Sequence, residues 1–297
     1  MKRLLYGLTY AGIWLLASLP FRALYVVSDL LCLLMQHVIH YRRKVIRGNL
    51  RNSFPDKSTA ELRTIERRFY HYICDYMLEE LKLLRMPFAE LCRRMEYHNE
   101  AQFLEMIEKH GGIVLLIPHY ANFEWIIGMG AIMQSGDIPV QVYKPLRDKN
   151  LDRLFKHIRA RFGGYNVPKH SMAREIVKLR ARGKRMVIGL ITDQSPNLNE
   201  AHYWTTFLHQ DTGFMDGGER IGQRMNFPVF YCNLQRIKRG YCKVSFDLIS
   251  ETPQLTAEGE ITEQFARRLE QTILCEPAYW FWSHRRWKHQ REEVSCV

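Results

Sequence analysis

The stretch Ile113-Val114-Leu115-Leu116-Ile117-Pro118-His119-Tyr120-Ala121-Asn122-Phe123-Glu124 joins two kinds of pattern. Its first five residues are continuously apolar, as in a strand buried on both faces. Its last residues open a stretch of helical character over residues 122–133. Met186-Val187-Ile188-Gly189-Leu190-Ile191 repeats the first pattern as a second buried strand. Between the two, residues 140–143 read as a strand, and residues 150–162 and 171–181 as helices. Downstream, residues 227–232 and 241–249 read as strands, followed by an amphipathic helix over 258–274. Upstream, Ser58 and Glu61 form a capping-box pattern. Leu62, Ile65, Phe69, Tyr72, Ile73 and Tyr76 follow at helical spacing, and Pro87 ends that helix. Another helix covers residues 99–109 and stops at Gly111-Gly112. Strands alternating with helices predict an α/β fold, a mixed central sheet flanked by helices.

The chain has 297 residues, of which 46 % are apolar and 12 % aromatic. That is enough for a sizeable core and argues against disorder. Lys and Arg number 43 against 31 Asp and Glu, a net charge of +12. Such a surface suits a nucleic acid, an anionic membrane face or an acidic substrate. The cysteines, Cys32, Cys74, Cys92, Cys232, Cys242, Cys275 and Cys296, are scattered and form no C-x-x-C pair. The pattern argues against a zinc module or a disulfide scaffold and fits a reducing compartment.

The N-terminus narrows the choice of partner. Residues 4–21 carry no charge, and residues 23–39 carry only Asp29 as a formal charge. A bilayer core takes roughly 20 apolar residues in a helix. A signal peptide would give way to a polar mature start, whereas this chain stays apolar. The expectation is a retained anchor over residues 1–40, either one short span or a helix pair embedded in one leaflet. Arg42, Arg43, Lys44, Arg47 and Arg51 follow directly, as on the cytoplasmic side of a membrane and in reach of anionic headgroups. A buried core helix followed by a solvated basic face is the plainer alternative.

His119 is placed just beyond a buried strand, where ligand sites of open α/β sheets lie. Histidine is the usual general base near neutral pH. Glu124 is a candidate to accept from one ring nitrogen and leave the other free. The plainer alternative is a histidine capping a helix, with Glu124 favoured by the helix dipole.

The block 118–124 resembles the H-x4-(D/E) motif of the glycerolipid acyltransferase superfamily. The rest of the chain resembles one branch, the late, lauroyl/myristoyl-type lipid A biosynthesis acyltransferases. The resemblance runs through Val142-Tyr143-Lys144-Pro145, Arg159-Ala160-Arg161, Thr192-Asp193-Gln194, Asp211-Thr212-Gly213, Phe227-Pro228-Val229 and Pro277. It ends on Trp280-Phe281-Trp282-Ser283-His284-Arg285-Arg286-Trp287-Lys288. Residues 41–297 are then the acyltransferase catalytic domain. The middle blocks match loosely, with Gly163-Gly164 after the arginines, which puts individual phosphate contacts in doubt.

The resemblance implies an O-acyltransferase at the cytoplasmic face of the bacterial inner membrane. Acyl carrier protein brings the acyl chain, an anionic lipid A precursor accepts it, and no cofactor, metal or nucleic acid is expected. His119 deprotonates the acceptor hydroxyl, which attacks the thioester directly; Glu124 orients His119 and stabilises its imidazolium. Arg159, Arg161 and Lys144 are expected in substrate binding. The two leave a helix on different sides, so the plainer alternative is that one merely faces solvent; Arg161 is the preferred of the pair. Asp193 positions Arg161 or His119, or only starts a turn. The C-terminal tryptophans are expected at a membrane interface ahead of core packing and nucleic-acid stacking. A lysophospholipid or aminolipid acceptor keeps the same chemistry. A thioesterase would use the same pair on water, although no G-x-S-x-G elbow is present. A non-catalytic basic binder would be indifferent to His119.

Overall fold

A computed structural model describes residues 2–146, 148–197 and 200–291. Cys296 lies outside the described residues. The helices are α1 (Lys2–Ser18), α2 (Phe21–Leu33), α3 (Arg43–Ser53), α4 (Thr59–Lys82), α5 (Phe88–Arg94), α6 (Glu100–His110), α7 (Lys149–Ala160), α8 (Met172–Ala181), α9 (Gly217–Met225) and α10 (Glu260–Cys275). The strands are β1 (Met95–His98), β2 (Gly112–Ile117), β3 (Ile138–Tyr143), β4 (Tyr165–Pro168), β5 (Met186–Ile191), β6 (Tyr203–Phe207), β7 (Gln210–Phe214), β8 (Val229–Lys238) and β9 (Tyr241–Ser250).

Seven strands form one sheet in the order β1-β9-β8-β2-β5-β3-β4. Only the β8–β9 pair is antiparallel. The mixed α/β sheet expected from the alternation of patterns is therefore present. β6 and β7 make a separate antiparallel hairpin. Every residue of β2 is buried, as the unbroken apolar run requires of a strand covered on both faces. Gly112 begins it because a Cβ there would come within 2.8 Å of the Phe227 ring. β2 and β5 pair in parallel with Ile117 opposite Ile191. This register carries both chain ends to the same height on the sheet.

The capping box of α4 forms as the sequence predicts. Ser58 Oγ accepts from Glu61 N, and the Glu61 carboxylate accepts from Ser58 N at 2.8 Å. Such a cap contributes about 1 kcal/mol. The segment expected as a helix over 122–133 is instead a 3-10 helix, Phe123–Ala131. Bulky Phe123 and Trp125, Ile126 and Ile127, and two glycines make a poor α-helical sequence. Burial of Phe123, Trp125, Ile126, Ile127 and Met129 holds it by packing instead.

α1 and α2 do not stand apart from the rest. α2 buries Leu24, Ser28 and Cys32, and polar contacts tie it down. Tyr25 donates to Glu79 at 2.7 Å and Ser28 to Asp75 at 2.6 Å. Arg239 bridges Asp29 and Asp75, while Arg236 also reaches Asp75. Removing Asp75 would strip the buried Arg236 of its hydrogen-bonded carboxylate and leave it only the charge of Glu79, a loss of up to about 3–5 kcal/mol. The opposite face of α2 is apolar and exposed: Val26 is 60 % exposed, Leu30 63 % and Leu33 55 %. The segment Phe21–Val38 is long and apolar enough to cross a membrane by length and composition.

Candidate active site

His119 and Asp193 each stand two residues beyond the paired ends of β2 and β5. The register brings them together across the sheet. His119 Nδ1 lies 2.6 Å from Asp193 Oδ1, and His119 N donates to Asp193 Oδ2 at 3.0 Å. Trp280 Nε1 donates to the same Oδ2 at 2.8 Å. Burial alone would raise the Asp193 carboxyl, but His119, Trp280 and the His119 backbone N–H outweigh it and hold it below the usual carboxylate range. An ionised Asp193 accepts from Nδ1–H, which leaves Nε2 as the basic nitrogen. Gln194 Nε2 lies 3.0 Å from that Nε2, and Gln194 lines the same cleft.

The loop between β2 and the 3-10 helix is clamped. Ala121 has φ +47°, a left-handed conformation that a residue with a Cβ resists. Its N–H donates to Tyr279 O at 2.9 Å, its carbonyl accepts from Tyr72 at 2.9 Å, and Tyr120 bridges to Trp280. Phe123 and Phe281 wall the imidazole, with ring centroids 4.8 and 5.5 Å away. The ring is thus held in orientation by bonds on one side and by aromatic faces on the others.

His119 opens on a cleft of about 440 Å³. Ile117, Ile126, Ile127, Met129, Val140, Val187 and Ile191 give it an apolar wall, and its polar side is Glu80, Glu124, Lys144, Arg159 and Gln194. A greasy channel that meets a basic nitrogen can bring an acyl chain and a proton acceptor together.

Glu124 does not take the place expected of it. Its carboxylate pairs with Arg159, with Nη2 to Oε1 at 3.0 Å. The orienting contact to His119 comes from Asp193. The helical geometry explains the difference: the 3-10 turn points Glu124 across the cleft toward α7 rather than back toward His119. Glu80, which the sequence did not single out, is the neighbour of this ion pair. Burial pushes its carboxyl up to about 8, and Glu124 adds to the rise, against Arg159 and the Tyr76 hydroxyl. At neutral pH Glu80 is therefore largely protonated.

The two arginines separate in the opposite order to the preference drawn from the sequence. Arg159 lines the cleft. Arg161, the C-cap of α7, turns away and donates to the carbonyls of Leu83 and, at 3.3 Å, Met86. It braces the end of α4 instead of meeting a substrate. Lys144 is exposed at the mouth of the cleft.

The C-terminal segment is also corrected. Trp280 and Trp282 are buried, 3 % and 0 % exposed, so they belong to the core and not to a membrane interface. Trp280 is needed inside because its N–H holds Asp193. Arg286 is buried with Nη2 on Gly213 O at 2.7 Å. His284 Nε2 accepts from Ser195 N at 3.1 Å, and burial lowers its pKa to about 4, so it is neutral. This ties the segment to the loop that carries Asp193 and Gln194.

The Asp193 partnership had a signal in the sequence. Two six-residue buried strands, each followed two positions later by a site residue, place those residues level if the strands are parallel neighbours. Glu80 and Trp280 had no such signal, because they reach the site from elements remote in sequence.

No curated protein matches the chain. Residues 2–289 match the bacterial lipid A biosynthesis acyltransferase family. With nearly the whole length covered, and a clamped His–Asp pair facing an apolar cleft, the chain belongs to the bacterial lipid A biosynthesis acyltransferases and transfers acyl groups.

Proposed function

We propose that the protein transfers a fatty acyl chain from acyl carrier protein to a hydroxyl of an anionic lipid A precursor. The observation that carries this reading is the Nδ1–Oδ1 contact of 2.6 Å between His119 and Asp193, with Nε2 turned toward an apolar cleft. His119 Nε2 takes the proton of the acceptor hydroxyl as its oxygen attacks the thioester carbonyl. The tetrahedral intermediate then expels the carrier thiolate, and the imidazolium returns the proton to that sulfur. Asp193 fixes the tautomer and stabilises the imidazolium while it lasts. Gln194 swings off Nε2 as the hydroxyl arrives and bonds the substrate oxygen instead. Arg159, held by Glu124, and Lys144 at the mouth attract the acceptor's phosphates or the donor's phosphopantetheine.

The acidic carrier and the phosphorylated acceptor both suit a chain of net charge +12. α2 attaches the enzyme to the cytoplasmic face of the inner membrane. One face of α2 is covered by α4 and its charged partners, so it enters one leaflet with the other face rather than being wrapped by lipid on all sides.

The test is an assay with purified protein, in which carrier-bound and coenzyme A-bound acyl chains are offered with a lipid A precursor or a lysophospholipid. Carrier-bound donor and lipid A precursor are expected to give the highest kcat/KM. His119→Ala is expected to lose about 10²–10⁴-fold. A variant that turns over near the wild-type rate would remove His119 as the base.

A further inference from the structure

Away from the catalytic cleft, α3 and α4 face each other with arginines. Arg43, Arg47 and Arg51 stand at i, i+4 and i+8 on α3, one stripe of a helix surface. Arg63 and Arg67 stand at i and i+4 on α4. A cleft of about 300 Å³ is lined by Gln36, His37, Arg43, Arg47, Thr64 and Glu66 together with Arg63 and Arg67. A smaller one of about 190 Å³ continues from it past Arg51 and shares Arg47, Arg63 and Glu66. Glu66 is the only carboxylate among the described lining residues. It accepts from Arg47 Nε at 2.9 Å and lies 3.8 Å from Arg43 Nε. That Arg43 Nε is buried without a hydrogen-bond partner among the described residues. Arg63 and Arg67 are exposed toward the same cleft.

Like charges at i, i+4 repel, so five arginines around one carboxylate are held against their own field. A bound anion removes that repulsion. The position indicates which anion. Gln36 and His37, on the cleft wall, sit in the short π-helical segment Leu34–Val38 that continues α2. Leu34, Val38 and Ile39 around them are 44 %, 68 % and 57 % exposed. The arginines therefore begin where the exposed apolar surface stops, the depth at which a lipid carries its phosphate.

We propose that the α3–α4 cleft is a binding site for the phosphate of an anionic membrane phospholipid, separate from the catalytic cleft. Arg63 and Arg67 are its open donors, and Glu66 fixes Arg43 and Arg47 as its back wall. The inference does not rest on the proposed reaction.

The experiment compares partition of the full chain into vesicles of phosphatidylcholine alone and with phosphatidylglycerol added. Wild-type protein is expected to prefer the anionic vesicles. Arg63→Gln with Arg67→Gln should lose about thirtyfold of that preference, with binding to neutral vesicles unchanged and an unaltered melting temperature. A double variant that keeps the full preference overturns the site. Arg63→Lys with Arg67→Lys keeps the charge but loses the forked donors, and should fall between the two. If it equals wild type, diffuse attraction accounts for the binding and the site is overturned. A third arm measures melting in detergent with inorganic phosphate or short-chain phosphatidylglycerol. Stabilisation by the lipid alone supports the assignment, and equal stabilisation by free phosphate overturns it.

Discussion

Two carboxylates approach the same cleft from different regions, and their surroundings differ. Asp193 sits at the end of a central strand, 1 % exposed at its side chain, with His119 and Trp280 bonded to it. Glu124 sits on the first turn of a 3-10 helix, 15 % exposed, with Arg159 as its partner and Glu80 beside it. The strand-end carboxylate is locked to the imidazole by sheet register. The helix-borne one is free to answer to whatever charge stands across the cleft. A carboxylate's spacing from a histidine in the chain is thus a weaker guide to its role than the register of the strands that carry the two.

Of the two carboxylates, Asp193 carries the larger expected effect. Asp193→Asn should lower kcat about 10²–10³-fold, because the amide no longer holds the Nδ1–H tautomer or balances the imidazolium. Circular dichroism should show the fold intact. Glu124→Gln should cost less, about 10–100-fold in kcat/KM, with most of the loss in KM, as Arg159 loses a charged partner. Equal losses in kcat for the two variants would erase the contrast between the regions.

Glu80 sharpens the comparison through pH. Its folded-state pKa of about 8 stands above the ordinary glutamate value of 4.5, so the folded chain holds a proton that the unfolded chain releases. Stability therefore falls as pH rises from about 4.5 to about 8. Glu80→Gln removes this contribution. The variant should melt a few degrees higher than wild type at pH 8.5 and no differently at pH 4, by scanning fluorimetry in detergent. A constant difference across the range would show that Glu80 carries its charge in the folded protein. The smallest effect belongs to Arg161. Arg161→Gln should change kcat/KM by less than about threefold and lower stability by about 1 kcal/mol, since its donors serve the Leu83 and Met86 carbonyls.

Much of this architecture is legible in the sequence. The runs at 113–117 and 186–191 became adjacent central strands, and the capping box at Ser58 became the start of α4. His119 was placed beyond a strand end by pattern alone. Short elements went unread, among them α5, β1, β4 and the β6–β7 hairpin. Four to seven residues give too few repeats of a helical or strand period to register. The tryptophans of the C-terminal segment were misplaced because an aromatic-basic run looks the same whether its rings face lipid or core.

Local chemistry along the chain was enough to specify the strands, the main helices, the apolar N-terminal segments and the place of His119 beyond a strand end, since each depends on residues within a few positions of one another. The pairing of His119 with Asp193, the diversion of Glu124 to Arg159 and the burial of Trp280 were settled by folding. Each depends on side chains 35 to 87 positions apart in the chain, from Glu124 and Arg159 to Asp193 and Trp280. Such contacts follow from strand register and helix packing; a local pattern places the strand ends, and only their pairing makes them level.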